Sequence, residues 1–488
     1  MSTSPFPSKP ESALLAAYAG GEWVSAGSGA STIAVANPAS GQRLGSTQVA
    51  GPREVDVAIG SARSALENPS WRTSTPTERG AALGRLADAL AARRSALADL
   101  TTAEIGSPRS WSTFGQVLTA VGVLRAYSQL APTYPFESVR ASATGGTVDV
   151  RQLPVGVVAA VIPWNTPLFI AALKLGPALA AGCTVVLKPA PDAPLNIGVL
   201  MEAVEEAGIP PGVVNVVNGG ADTGRCLVSH PGVDKVTFTG STAVGAQIAA
   251  TCCSLIRRCS LELGGKSAAI VLPDAPLDST VSGLIGGVMA NNGQVCAALS
   301  RILLPRSRYH EFAEALTAAV SGLAVGDPAD RATDIGPLIN EAARAKVAGF
   351  LIRAQQDGAK VLTGGTVIDG PGWFITPAVV AATNDMEIAR EEIFGPVAVV
   401  IEYDDSTDDD AVRIANDSRF GLVGAVWSAD PDRAAGVAAR LRAGSVAVNS
   451  TAVLDFNSPF GGFKQSGIGR EGGPEGIAGF VEYQAIIK

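Results

Sequence analysis

The chain has 488 residues, with 37 Lys plus Arg against 45 Asp plus Glu (formal charge −8) and 47% hydrophobic against 17% charged residues. At roughly 100 to 200 residues per domain this length exceeds one small module, and the composition excludes a disordered chain. The negative charge repels phosphate backbones and anionic lipid, so neither nucleic acid nor a membrane surface is expected as a partner.

In chain order, the opening MSTSPFPSKPES lacks the basic-then-apolar order of a signal peptide, which predicts no export. Thr75, Pro76 and Glu78 supply the N-cap, first turn and capping-box partner of one helix carrying leucines 83, 86, 90, 97 and 100, ended by Gly106 and Pro108. Val139 to Leu153 reads as a hairpin about Gly145 and Gly146, with Val148 and Val150 alternating against Thr147, Asp149 and Arg151. Then apolar and helical runs alternate: Val155–Ile162, Leu168–Leu179, Thr184–Leu187, Asn196–Ala207, Val213–Val217, Val236–Thr239 and a helix from Thr242. Such alternation predicts right-handed crossovers and a buried parallel sheet. The second half repeats it with Ala268–Leu272, a helix around Leu284–Asn291, Arg301–Leu304 and Val397–Glu402, and Asp404–Asp410 reads as a solvated helix start. Pro163, Asn165, Pro167, Lys174 and Pro177 interrupt the most apolar stretch, Leu153 to Leu187, which argues against a membrane span of about 20 residues.

Only two histidines occur, His230 and His310, so chemistry needing a histidine cluster is removed, no metal is expected, and the working base is expected to be a carboxylate. The six cysteines are sparse and form no C-x-x-C, which predicts a reducing, cytoplasmic setting. Cys183, Cys226, Cys252, Cys253 and Cys259 sit in apolar or helical contexts and read as small buried hydrophobes. Cys296 differs: Asn291, Asn292, Gly293 and Gln294 precede it, a polar break that suits a thiol held on a loop, where a positive dipole would lower its pKa. Glu262, before Gly264 and Gly265, could be raised by burial toward a general base, although this segment alone favours an ordinary ion pair with Lys266 or Arg258. Asn165 follows Pro163 and Trp164 at a predicted parallel strand's C-terminal end, where an amide can donate to a developing oxyanion; turn chemistry is the plainer reading. Phe238-Thr239-Gly240-Ser241 with Gly245 leads a strand through glycine into a helix, which suits phosphate, although the spacing is neither the usual dinucleotide fingerprint nor a P-loop.

Taken in order, P-W-N, K-P-A, F-T-G-S-T-A-V-G, L-E-L-G-G-K, G-Q-V-C, E-E-I-F-G-P-V and S-P-F-G-G-F-K-Q-S-G make nearly the whole chain resemble the aldehyde dehydrogenase superfamily. The resemblance implies an α/β fold of two Rossmann-like parallel-sheet lobes with a β-hairpin oligomerisation element. Residues 1–130 and 152–261 would bind cofactor, 262–465 would form the catalytic domain, and 131–151 with 466–488 would serve oligomerisation. It implies Cys296 as nucleophile, giving a thiohemiacetal and then a thioester, Asn165 with the Cys296 N–H as oxyanion hole, and Glu262 as activator of water. Lys188 would hold the adenosine ribose with Trp164 on the same side. Gly220, Gly224, Gly240, Ser241 and Gly245 would approach adenine and pyrophosphate, and Glu392 the nicotinamide ribose beside Phe394. Without the resemblance, Lys188 reads as a surface lysine and Glu392 as a solvated helix charge. Where many NAD-preferring members carry a glutamate, three positions after Lys188, this chain has Pro191, which leaves NAD the first choice and NADP open.

By the same analogy the substrate tunnel draws on Thr166, Phe169, Ile170, Leu173, Val295, Leu454, Phe456 and Phe460. No arginine stands among these, which predicts an apolar aliphatic, terpenoid or aromatic aldehyde over a semialdehyde. The hairpin and the segment Gly479–Ile487 resemble edges that pair between subunits, so a homodimer or a dimer of dimers is expected. Rival readings are a coenzyme A-acylating dehydrogenase, against which Glu262 speaks, a cysteine esterase without redox, and an inactive structural homologue.

Overall fold

The computed structural model describes residues 15–488; the stretch on which the expectation of no export rests lies outside the described residues. Five strands form the parallel heart of the first sheet, in the order Arg258–Glu262, Lys235–Thr239, Val157–Val161, Thr184–Lys188, Val214–Val217. Thr184–Lys188 and Lys235–Thr239 are buried at every residue, as expected where helices cover both faces. Antiparallel Ala17–Ala19 and Glu22–Val24 extend one edge, and Gly467–Ile468 covers the other against Leu261 and Glu262.

The second sheet runs Lys360–Thr363, Ala378–Ala381, Val397–Tyr403, Arg301–Pro305, Ala268–Val271, Val423–Trp427, Ser445–Val448, parallel except at Lys360–Thr363. The two sheets bear out the expected pair of α/β lobes. The hairpin strands Glu137–Ala141 and Thr147–Pro154 join Val481–Ile487 in a third, antiparallel sheet, with Tyr483 opposite Gln152. Its edge strand Glu137–Ala141 is exposed at all five residues.

Three expectations are corrected. The single helix after Thr75 is two, Pro76–Ala92 and Arg94–Ile105, because Arg93 leaves helical geometry at φ −93°, ψ 8°. Leucines 90 and 97 stand two full turns apart and both are buried, so the apolar stripe continues across the break and hides it. The helix read through Asn291 ends at Met289, since Asn291 and Asn292 adopt left-handed φ of 50° and 60°. Cys253 is exposed and Cys226 and Cys259 are half-buried; only Cys183 and Cys252 of the five are buried. The acidic stretch starts a helix as expected, Asp409–Asn416, and surface ion pairs join Asp408 to Arg433, Asp409 to Arg440 and Asp410 to Arg413.

Candidate active site

Strand order in the first sheet reverses at Val157–Val161: Thr184–Lys188 and Val214–Val217 lie on one side, Lys235–Thr239 and Arg258–Glu262 on the other. Connections leaving the sheet's C-terminal edge at such a reversal diverge and open a crevice. The loops that begin at Pro163 and at Gly240 leave there, and with Cys296 and Glu392 from the other lobe they line a cavity of about 260 Å³. Of the residues singled out from sequence, Trp164, Asn165, Thr166, Ile170, Gly240, Ser241, Cys296, Glu392 and Phe394 line it. A larger groove of about 1110 Å³, lined by Tyr309, His310 and Asn384 among others, contains none of them.

Cys296 follows a backbone held in an uncommon conformation. Asn291, Asn292 and Gly293 all take positive φ, and a Cβ at Gly293 would stand 2.1 Å from the Gly395 carbonyl oxygen. Side-chain amides fix this loop. Asn292 donates to the carbonyls of Gly106 and Pro337 and accepts from Gly336 N–H, and Gln294 accepts from Ile339 N–H. Asn165 Nδ2 donates to the Gln294 carbonyl at 2.8 Å, so its amide is committed to the cysteine loop rather than to its own turn. Burial, then the carboxylates of Glu392 and Glu262, push the Cys296 thiol up to about 12, against the pull of the Ala297 and Cys296 backbone N–H groups. This corrects the expectation of a lowered thiol pKa: two carboxylates face it, and burial disfavours the thiolate.

Glu262 ends its strand 4% exposed, and neither carboxylate oxygen has a hydrogen-bond partner among the described residues. The ion pair its own segment favours does not form: Arg258 pairs with Glu482, and buried Lys266 Nζ is itself without a hydrogen-bond partner among the described residues. Burial, then the charge of Glu471, raises Glu262 well above the usual carboxyl range, with Lys174 and Arg470 opposing. Glu262 does not line the cavity; a Cβ at Gly461 would meet its Oε1 at 2.7 Å. Beneath it, Lys174 Nζ donates to Glu471 at 2.7 Å and to Thr237 Oγ1 at 3.0 Å.

On the opposite wall Glu392 accepts from Gly265 N–H at 3.1 Å, and burial raises its carboxyl. It is not a solvated helix charge. Phe394, at a left-handed φ of 61°, meets Trp164 edge-on with ring centroids 5.5 Å apart. Ser241 caps the thirteen-residue helix Thr242–Ser254. A Cβ at Gly240 would stand 2.4 Å from the Phe238 ring, so the loop backbone at this helix N-terminus stays bare, which suits a phosphate. Lys188 is 4% exposed rather than a surface lysine; burial lowers its pKa to about 8, and a Cβ at Gly224 would rest 3.5 Å from its stem. Gly220 caps the helix Ala221–Ser229, and neither it, Gly224 nor Lys188 lines the cavity. Gly245 also stays off the wall, giving room to Leu263, which a Cβ there would approach to 2.4 Å. These features fit a dinucleotide cofactor.

Of the expected tunnel residues, Leu173 and Phe460 are buried, while Phe169, Val295, Leu454 and Phe456 are half-buried. Phe456 lies against Gly122, where a Cβ would come within 2.3 Å of its ring. The charged side chains of the cavity wall are Lys346 and Glu392. Sequence reasoning missed Lys346, which reads as a helix-face lysine, and the pair Lys174 and Glu471, which lies 297 residues apart in the chain. A lysine inside the otherwise apolar run Leu168–Leu179 was the available signal for the latter. No helix is long and apolar enough to cross a membrane, and no cluster of potential metal ligands occurs, among the described residues.

The family described as "Aldehyde dehydrogenase family" matches residues 23–486. Geranial dehydrogenase of Castellaniella defragrans is 43% identical, covering 96% of this chain and 98% of its own. A mitochondrial succinate-semialdehyde dehydrogenase of Arabidopsis thaliana is 39% identical over 96% of this chain and 88% of its own. The crystal structure of a Mycobacterium tuberculosis aldehyde dehydrogenase complexed with NAD+ superposes with a TM-score of 0.93 at 41% identity, covering 96% of this chain and 97% of that one.

Proposed function

Because the chain belongs to the aldehyde dehydrogenase family and is an NAD(P)-dependent enzyme of that family, we propose that it oxidises an apolar aldehyde to the carboxylic acid through Cys296, Asn165 and Glu262. The observation that carries this reading is the placement of the Cys296 thiol and the Asn165 amide on one cavity wall, tied together through Gln294. Sγ of Cys296 adds to the carbonyl carbon and its proton leaves, giving a thiohemiacetal whose oxygen accepts from Asn165 Nδ2 and the Cys296 N–H. A thiol at about 12 is neutral at rest, so addition needs a proton acceptor. Glu262, as the carboxylate and with proton affinity raised by burial, takes that role, gives the proton up to solvent, and then accepts a proton from the water that attacks the thioester. In this role its carboxylate turns from Gly461 toward the cavity.

Bound NAD(P) supplies the hydride acceptor. Lys188, Gly220, Gly224, Trp164, Gly240 and Ser241 would hold its adenosine and pyrophosphate, with Gly245 shaping the helix behind them, and Glu392 with Phe394 would hold the nicotinamide ribose. Pro191 offers no carboxylate to reject a 2′-phosphate.

Support for the aldehyde class comes from the expected tunnel residues, of which Thr166 and Ile170 line the cavity. Thr166, Phe169, Ile170, Leu173, Val295, Leu454, Phe456 and Phe460 offer no guanidinium, so a terminal carboxylate would be desolvated without a bidentate partner there. The geranial-oxidising relative supports this over the semialdehyde relative. We also place the protein in the cytoplasm, supported by six free thiols, as a homodimer or dimer of dimers, supported by the exposed edge Glu137–Ala141. The test is a panel of aldehydes of matched length with NAD and NADP, read at the reduced-nicotinamide band. Apolar aldehydes should have the higher kcat/KM, Cys296→Ser should abolish turnover with folding intact, and a semialdehyde oxidised faster than its apolar match refutes the class.

A further inference from the structure

Asn165 is held by more than the cysteine loop. Its backbone carbonyl accepts two hydrogen bonds, one from Asn291 Nδ2 and one from Gln116 Nε2, both at 2.9 Å. A carbonyl oxygen has two lone pairs, so these two amides saturate it and fix the plane of the peptide that carries the Asn165 side chain. Asn291 belongs to the cysteine loop, but Gln116 comes from a different element, 49 residues before Asn165.

Gln116 is 0% exposed, and its Oε1 has no partner among the described residues, so the bond to Asn165 is the one hydrogen bond its side chain makes there. Burying a primary amide for a single donated bond is costly, and an aliphatic side chain would fill the space without leaving an acceptor stranded. Packing alone therefore gives no reason for glutamine here.

The backbone around Gln116 is equally unusual. Residues Ser112–Leu118 form a π-helical turn between Arg109–Trp111 and Thr119–Leu130. Such turns change the direction of the side chains they carry and recur at functional sites. The turn is built in: the Thr119 hydroxyl donates to the Phe114 carbonyl at 2.7 Å, Thr102 donates to Ser112 at 2.8 Å, and Gly115 accommodates the Trp111 ring, which a Cβ would meet at 2.4 Å.

We propose that Gln116 is a positioning residue for the oxyanion donor: the π-helical turn aims its amide at the Asn165 carbonyl so that Asn165 Nδ2 is held on the cysteine loop, at the Gln294 carbonyl, before the aldehyde arrives. This rests on the role proposed for Asn165. Gln116 touches no reacting atom, and its effect travels through one peptide group.

The experiment is a double-mutant cycle in the full-length enzyme with Gln116→Met and Asn165→Ala, measuring kcat, KM for an apolar aldehyde, the Kd for NAD and thermal melting. Gln116→Met should lower kcat about tenfold, with NAD affinity unchanged, and its effect should vanish in the Asn165→Ala background. Should Gln116→Met fail to fold, Gln116→Glu keeps the size and turns an acceptor toward the carbonyl, and should lower kcat further. Full kcat in Gln116→Met beside a large loss in Asn165→Ala overturns this assignment alone, as does an additive cycle. Full kcat in Asn165→Ala overturns the proposed oxyanion role and this assignment with it.

Discussion

Lys174 and Glu471 form an ion pair at 2.7 Å whose side chains are 0% and 2% exposed, and the Glu471 charge in turn raises the carboxyl of Glu262. The pair therefore does two jobs: it neutralises a carboxylate that would otherwise be stranded in the core, and it adjusts the proton affinity that burial gives the proposed base, Glu471 raising it and Lys174 lowering it. Lys174→Met should destabilise the protein by about 3–5 kcal/mol, the cost of leaving one buried partner charged and alone. It should also raise Glu262 further and move the pH at which turnover begins upward. Denaturant unfolding and a pH profile of kcat read the two effects separately.

Glu262 gives stability a defined pH sign. Its folded pKa lies above the unfolded value of 4.5, so its protonated form is favoured by folding. The stability it contributes is fully present below pH 4.5 and is lost as pH rises through the folded value. Glu262→Gln removes the group that must ionise in the core, so the variant should be more stable than the parent at pH 8, with the difference shrinking as pH falls toward 5. Chemical denaturation at the two pH values measures it. A gap that widens on acidification contradicts the burial argument. Turnover should run the other way, rising with pH in the parent and falling in the variant by about two to four orders of magnitude at pH 8.

Legibility in the sequence depends on whether the signal is local. Strands such as Thr184–Lys188 and Lys235–Thr239 are continuous apolar runs, and a buried parallel strand must be one, so they could be read directly. The break at Arg93 could not, because its flanking leucines keep helical phase. The three-residue strands Ala17–Ala19 and Glu22–Val24 carry too few side chains for a period and owe their state to pairing, the first with Val214–Val217 and the second with the first. In the site, Cys296 announced itself by the polar residues before it. The direction of its thiol shift did not, since that depends on Glu262 and Glu392 folding to face it across 34 and 96 residues of chain. Gln116 was invisible for the same reason: its meaning lies in a carbonyl of another element.

The close approach at Gly265 makes a prediction independent of charge. A Cβ there would stand 2.4 Å from the Cys296 carbonyl oxygen, while the Gly265 N–H holds Glu392. Gly265→Ala must shift the cysteine backbone or the loop bearing Glu392. It should cost about 1–3 kcal/mol of stability and lower kcat/KM for the aldehyde by at least about tenfold. Alkylation of Cys296 by iodoacetamide, followed by mass spectrometry, should slow as well, because the sulfur moves with its backbone.

Cofactor choice is the remaining prediction, and it turns on an absence at one position. Pro191 sits three residues beyond buried Lys188 and presents neither an acceptor for a ribose hydroxyl nor a negative charge against a 2′-phosphate. The parent should therefore use both NAD and NADP, with discrimination weaker than a carboxylate would impose. Pro191→Glu should add the missing acceptor and repulsion together, raising the ratio of kcat/KM for NAD over NADP by about tenfold or more. Because the new charge acts on the phosphate through space, the change in ratio should shrink as ionic strength rises, whereas a change caused by losing the proline ring would not. Measuring the ratio at low and high salt separates the two, and a salt-independent ratio would assign the effect to loop geometry instead of charge.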